Sequence, residues 1–386
     1  MDMKRTPKLT RAVLFLVIAA LGCSLLVWQH TAALSLLCRL TVREAQLLFP
    51  LPAPLYADDL TAPAESEPET TADERETAAS TTEKKAAPKR EAAKSDLTAT
   101  PDDIQKLTAQ AKKNAEKGTK AGAIRKQTYK NEGVTDTAGV VRVKNINKTA
   151  IDAAKLLRRR ADLSVKKDAP CVLIFHTHTT ESYQYLDRDY YTAGFPTRDN
   201  DPSRNMIRVG DEICRELEAM GFAVLHDTAI HDARYTGAYG RSRETVQAYQ
   251  KQYPSLQVLL DIHRDAIQLS DGTKIKPVAT IDGKQAAQVM IITGCQENGN
   301  GVTEFPDWEQ NLVFALQLQE KMESTFPGLT RPVFFSPRRY NMHLSHCSLL
   351  LEVGSDANTL EEAAYSGRLI GHALGLLLQD YQEEDT

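Results

Sequence analysis

Three short runs carry the residues that could do chemistry. The first, IFHTHTTE, sets His176, His178 and Glu181 beyond an apolar stretch, and the second, LLDIHRDA, sets Asp261, His263, Arg264 and Asp265 in the same way. The third, LLLEVGSDANT, carries Glu352, Asp356 and Asn358. Imidazoles and carboxylates in this mixture are the donors of a catalytic zinc site, which uses three protein ligands at about 2 Å and leaves one position for water. Assigned this way, His178, Glu181 and His263 are the metal ligands. Glu352 is the base that takes a proton from the water and hands it to a leaving amine.

Alternation along an extended chain points His176 and His178 to opposite sides, so only one is a ligand, and His178 is the better placed. His176 is then either a group behind the ligands or a satisfied core histidine. Each motif also has an ordinary reading. Asp261 to Asp265 can be a buried ion pair with Arg264, and Glu352 can cap a helix or pair with an arginine. In YGRSRETV, Arg241 and Arg243 precede a helix where an anionic substrate group could dock, or Ser242 is simply the helix N-cap. His343 and His346 stand three apart and read as loop residues or a second metal pair; His226, His231 and His372 join no cluster.

These residues work together only if the strands that end in them lie side by side and point the same way. Near-continuous apolar runs at 171–175, 222–225, 257–262, 278–281, 287–292 and 348–353 read as strands buried on both faces. Helical patterns at 203–220, 243–251, 308–324 and 358–381 alternate with them. The fold class expected is α/β, a twisted, mostly parallel sheet flanked by helices, with sites at the carboxyl ends of the strands.

The rest of the 386-residue chain is organised differently. Residues 12–28, AVLFLVIAALGCSLLVW, are uncharged and follow Lys4, Arg5, Lys8 and Arg11. They read as a single membrane span with residues 1–11 as its cytoplasmic tail, a cleaved signal peptide being the alternative. Residues 29–57 continue as an apolar juxtamembrane segment. Residues 58–133 read as a linker, disordered where Ala, Glu, Thr, Pro and Lys dominate and weakly helical over 101–130. The catalytic domain is expected over 134–386, outside the cytoplasm. Six scattered cysteines, without a CxxC pair, read as small buried hydrophobes and exclude a zinc ribbon or redox motif. A net charge of −4 gives no footprint for nucleic acid.

HTHTTESY, GRSRET, DIHRDA and SLLLEVGSDANTLEEA, in that order behind an anchor and a tether, resemble the stage II sporulation protein P (SpoIIP) family over about residues 172–375. That family is similar in fold to the zinc-dependent N-acetylmuramoyl-L-alanine amidases. The resemblance implies a Zn2+ enzyme that cleaves the amide between N-acetylmuramic acid and L-alanine in peptidoglycan, and also peptide cross-links, during engulfment at the sporulation septum. It implies SpoIID and SpoIIM as partners. By position, His178 and His263 match the amidase histidine ligands and Glu352 the catalytic glutamate. General amidases take their carboxylate ligand from the start of the first helix, where PSRNMIRVGDEI has no glutamate before the apolar face, so Glu181 is the nearest candidate. The competing reading is a non-catalytic wall-binding or scaffolding module on the same fold.

Overall fold

The computed structural model describes residues 96–114, 118–166, 169–297 and 302–383. The expected tail, membrane span, juxtamembrane segment and most of the linker lie outside the described residues. So do Cys23 and Cys38.

The elements, in chain order, are α1 (Asp102–Lys113), β1 (Lys120–Gln127), β2 (Asp136–Ala138), β3 (Val141–Asn145), α2 (Ala153–Leu157), β4 (Val172–Phe175) and β5 (Tyr190–Thr192). They continue with α3 (Met206–Ala219), β6 (Val224–His226), α4 (Ala238–Gln252), β7 (Val258–Asp265), β8 (Lys274–Ile281), β9 (Lys284–Ala287) and β10 (Val289–Gly294). The last are α5 (Trp308–Thr325), β11 (Val333–Ser336), β12 (Cys347–Ser355) and α6 (Leu360–Gln379).

Eight strands form the main sheet in the order β2-β3-β11-β10-β12-β7-β4-β6. Its central members are the apolar runs, and every residue of β4, β7 and β10 is buried. The sheet is mixed: β2 against β3 and β10 against β12 are antiparallel, and the other neighbours are parallel. The strands that end in the three chemical motifs, β4, β7 and β12, are adjacent and mutually parallel. Their tails therefore meet at one edge.

Two helices cover one face at unusually close range. A Cβ on Gly367 of α6 would stand 2.8 Å from the Val209 carbonyl of α3, and one on Gly371 2.7 Å from that of Ile213. Glycine at both positions is what lets the backbones approach. Asn205 caps α3 by accepting from the Ile207 N–H at 3.0 Å, and Thr359 with Glu362 forms a capping box on α6.

A second sheet, β5-β1-β8-β9, was not foreseen. The stretch read as weakly helical over 101–130 is helix only in α1, and Lys120–Gln127 is a strand between β5 and β8. Only Ile124 of β1 is buried, so pairing with both neighbours, and no apolar pattern of its own, makes it a strand. Ordered structure thus begins well before residue 134. Asp282 and Gly283, at φ 48° and 76°, turn β8 into β9 as Asp-Gly does in tight hairpins.

Candidate active site at the ends of three parallel strands

The tail of β4 is fixed by its own threonines. Thr177 donates its N–H to Asp261 Oδ1 at 2.8 Å and its hydroxyl to Asp261 Oδ2 at 2.6 Å. Thr179 donates to the His176 carbonyl at 2.8 Å, and Thr180 donates its N–H and hydroxyl to Asp232 at 3.1 and 2.7 Å. Glu181 N–H closes a turn onto the His178 carbonyl at 3.1 Å, which brings those two side chains to one place.

On β7, residues two apart share a face, so Asp261 and His263 point together. His263 is the direct cross-strand partner of Glu352 on β12. Its ring stands 5.2 Å from that of His178, edge to face, and its Nδ1 lies 3.8 Å from Glu181 Oε2. The four residues expected at the site, His178, Glu181, His263 and Glu352, are therefore gathered at one spot.

Their electrostatics are strongly coupled. Burial lowers His178 to about 4, against the pull of Glu181. Burial also disfavours the charged form of His263, but Asp261 and Glu181 outweigh it and raise the ring to about 9. For Glu181, burial pushes the carboxyl up, while Arg264, His178, His263 and Arg198 together hold it below its usual range. Burial, with Asp265 next, raises Glu352 to about 8.

Both ring nitrogens of His178, Nε2 of His263 and Oε2 of Glu352 are buried without a hydrogen-bond partner. His263 Nε2 does lie 2.8 Å from Asp261 Oδ1, but without hydrogen-bond geometry. Orphaned buried polar atoms cost roughly 1–3 kcal/mol each, and a cation taken up by one ring nitrogen of an imidazole would satisfy that nitrogen. Two imidazoles and a carboxylate fit zinc by chemistry. Among the described residues, no three His, Cys, Asp or Glu side chains already stand at ligating geometry.

The other candidates, Arg264, Arg241 and His176, open between facing substrate and standing behind the ligands, turn toward the protein. Arg264 has no guanidinium free for substrate: it donates to the Ser182, Asp265 and Thr197 carbonyls and so fastens the 182–197 loop to β7. Arg241 likewise donates to the His231, Thr236 and Arg234 carbonyls and shapes the loop before α4, instead of docking an anion. Ser242 is no N-cap, because α4 starts at Ala238 behind Gly237. Ser242 lies inside the helix, 2.7 Å from the Thr177 hydroxyl.

His176 is a satisfied core residue. Its Nδ1 bonds the Ile262 carbonyl at 3.0 Å and its Nε2 lies 2.9 Å from His226 Nε2; burial, with His226, lowers it to about 3. His226, expected to join no cluster, is thus its partner, and also approaches Asp211 at 3.2 Å. His346 pairs with Asp162 at 2.6 Å and His343 sits in a short 3-10 helix, so they form no second metal pair. Cys171, Cys214, Cys295 and Cys347 are buried and free, as small hydrophobes should be.

Three site residues, Arg198, Tyr235 and Tyr239, escaped the sequence reading, and a fourth, Asp261, was named there without this role. Asp261 carried a signal, since it stands two before His263 in a strand. Arg198, 3.5 Å from Glu181 and paired with Asp232, comes from a loop without periodicity. Tyr235 stacks on His178 at 4.7 Å between centroids, and Tyr239 meets the same ring edge-on at 5.7 Å. Neither tyrosine lies in an apolar pattern that would mark it.

The family model for stage II sporulation protein P matches residues 55–375. The chain belongs to the SpoIIP family. Stage II sporulation protein P of Bacillus subtilis (strain 168) is 33% identical over 207 residues, covering 50% of this chain and 48% of that protein. The match thus spans about half the length of that curated relative. Among solved structures, the N-acetylmuramoyl-L-alanine amidase AmiC2 of Nostoc punctiforme aligns at 14% identity and a TM-score of 0.30, over 54% of this chain and 96% of that one. The CwlD amidase of Clostridioides difficile, solved in complex with the GerS lipoprotein, aligns at 12% identity and a TM-score of 0.33, over 55% and 98%. At TM-scores this low, the likeness carries no weight for either fold or chemistry.

Proposed function

We propose that this SpoIIP-family chain is a peptidoglycan hydrolase that cleaves the amide between N-acetylmuramic acid and L-alanine. The observation that carries the reading is the meeting of His178, Glu181, His263 and Glu352 at the ends of three parallel strands, with atoms of His178, His263 and Glu352 left unbonded.

His178, Glu181 and His263 would hold zinc, which when bound polarises water toward hydroxide near neutral pH. Glu352 takes the water's proton and passes it to the nitrogen of the departing L-alanine. Burial, with Asp265 next, pushes Glu352 up, and a positive charge held beside it would favour the ionised base. Asp261 and Thr177 hold His178 and His263 in register, and Arg264 and Arg241 hold the loops around them. Residues 12–28 would anchor the chain with its catalytic domain outside the cytoplasm, at the sporulation septum. There it would act on the wall together with SpoIID and SpoIIM.

Mass spectrometry of material released from purified sacculi by the full chain tests this. The reading expects stem peptides with a free N-terminal L-alanine, lost when a chelator is present. Binding to sacculi with no released peptide would favour a scaffolding role and contradict hydrolysis. Peptides cut only at cross-links would contradict the amidase assignment.

A further inference from the structure

Beside the four expected residues, one wall of the site is aromatic and held in place at a cost. Tyr239, on the first turn of α4, packs edge-on against His178, nearly parallel to His263 at 6.4 Å, and against Tyr340 at 5.3 Å. Tyr340 and Asn341 both lie at positive φ, 40° and 60°, a region that a bulky side chain such as tyrosine rarely adopts. Backbone strain of this kind persists only where surrounding contacts enforce it, and it concentrates at functional sites.

The enforcing contacts are present. Asn341 Nδ2 donates to the Tyr239 carbonyl at 2.9 Å and to Ser242 Oγ at 3.1 Å, and Met290, Ile292, Phe334 and Leu350 pack against Tyr340. The strained turn therefore holds Tyr340 against Tyr239, whose ring also meets His178 and His263. Hydrogen bonding within the fold uses the Tyr239 backbone carbonyl, while the phenol hydroxyl makes no such bond among the described residues. The hydroxyl lies within electrostatic reach of Asp261, Glu352 and Glu181, the carboxylates of the site. A hydroxyl donor with no structural partner, on a ring packed against both His178 and His263, is what an acyl-transfer site needs where negative charge develops.

We infer that Tyr239 is a catalytic residue that donates its hydroxyl hydrogen bond to the carbonyl oxygen of the scissile amide as that oxygen becomes negative. The role rests on the amide hydrolysis proposed above. When the water oxygen bonds to the carbonyl carbon, the C=O π pair moves onto oxygen and the Tyr239 O–H strengthens its bond to it. The phenol keeps its proton throughout. As the π bond re-forms, the C–N bond breaks and its electron pair leaves with nitrogen, which takes the proton carried by Glu352.

The test compares Tyr239→Phe and Tyr239→Ala with wild type in the full chain, on dye-labelled sacculi, with metal content and Tm measured alongside. Phenylalanine keeps both ring contacts and removes only the hydroxyl. The role predicts that Tyr239→Phe loses about 10- to 100-fold in kcat, keeps KM within about 2-fold, and keeps metal and Tm, since one oxyanion donor contributes on this scale or above. If phenylalanine restores wild-type kcat while alanine does not, Tyr239 is a packing residue and the inference is overturned. Loss of metal in Tyr239→Phe would equally overturn it. A wild-type chain that hydrolyses nothing removes the reaction and the role with it, whereas a wild-type rate in Tyr239→Phe removes the role alone.

Discussion

Glu352 and His263 are direct partners across the parallel pair β12 and β7, so the proposed base and a proposed ligand share one face of the sheet by register alone. Neither needs a loop to bring it into place. A one-residue slip of either strand would turn its residue to the opposite face. The pair is set by the apolar runs before it, Leu349 to Leu351 and Val258 to Leu260, which are buried almost completely.

That register makes Glu352→Gln a clean probe. The amide keeps the shape and loses the proton acceptor, so turnover should fall by about 10² to 10⁴-fold while metal and substrate binding persist. Steady-state kinetics on sacculi with zinc analysis of the same sample checks it. Loss of metal along with activity would make Glu352 a ligand.

The three parallel tails, and the meeting of His178, Glu181, His263 and Glu352 beside them, were legible in the sequence because unbroken apolar runs mark central strands, and each run stops at these residues. The roles of Arg264 and Arg241 were not, since whether a guanidinium faces substrate or folds back on carbonyls depends on loops with no periodic signal. β1 was missed for a related reason. KAGAIRKQ buries one side chain, and its strand identity comes from β5 and β8 on either side. Tyr239 and Tyr340 come together only in three dimensions, across 101 positions of sequence.

The position of β1 changes where the domain can be cut. Tyr129, buried with Ile267 and Ile275, and β1 both precede residue 133, so a chain starting at Gly133 loses the strand that joins β5 to β8. It should fold poorly, with a broadened or lowered thermal transition. A chain starting at Asp96 retains α1, whose Asp103 pairs with buried Arg208 at 2.9 Å, and should melt cooperatively. Equal Tm values for the two would show that β1 is dispensable.

Gly210 of α3 faces the pair of buried His176 and half-buried His226. A Cβ there would stand 2.4 Å from His226 Nε2 and 2.8 Å from His176 Nε2. Alanine gains about 1 kcal/mol of helix propensity, yet overpacking costs typically 1–3 kcal/mol, so Gly210→Ala should be destabilised on balance. Urea unfolding followed by circular dichroism measures this. A midpoint raised above wild type would mean that the histidine pair yields without cost.

The proposed anchor and tether set the local concentration of the domain at the wall. A chain lacking residues 1–95 should hydrolyse isolated sacculi and fail to support engulfment in cells until a membrane anchor is restored. Complementation in sporulating cells reads this directly. Normal engulfment by the unanchored chain, or a native N-terminus found by mass analysis after Trp28, would contradict the anchor.

The most direct measurement of the central claim is the metal content of the full chain, purified without chelator, by element-specific mass spectrometry. The account predicts one zinc per chain, retained in Glu352→Gln and lost in His178→Ala and His263→Ala, while circular dichroism shows all three still folded. A wild-type chain that hydrolyses sacculi with no bound metal, or histidine variants that keep their zinc, would contradict it.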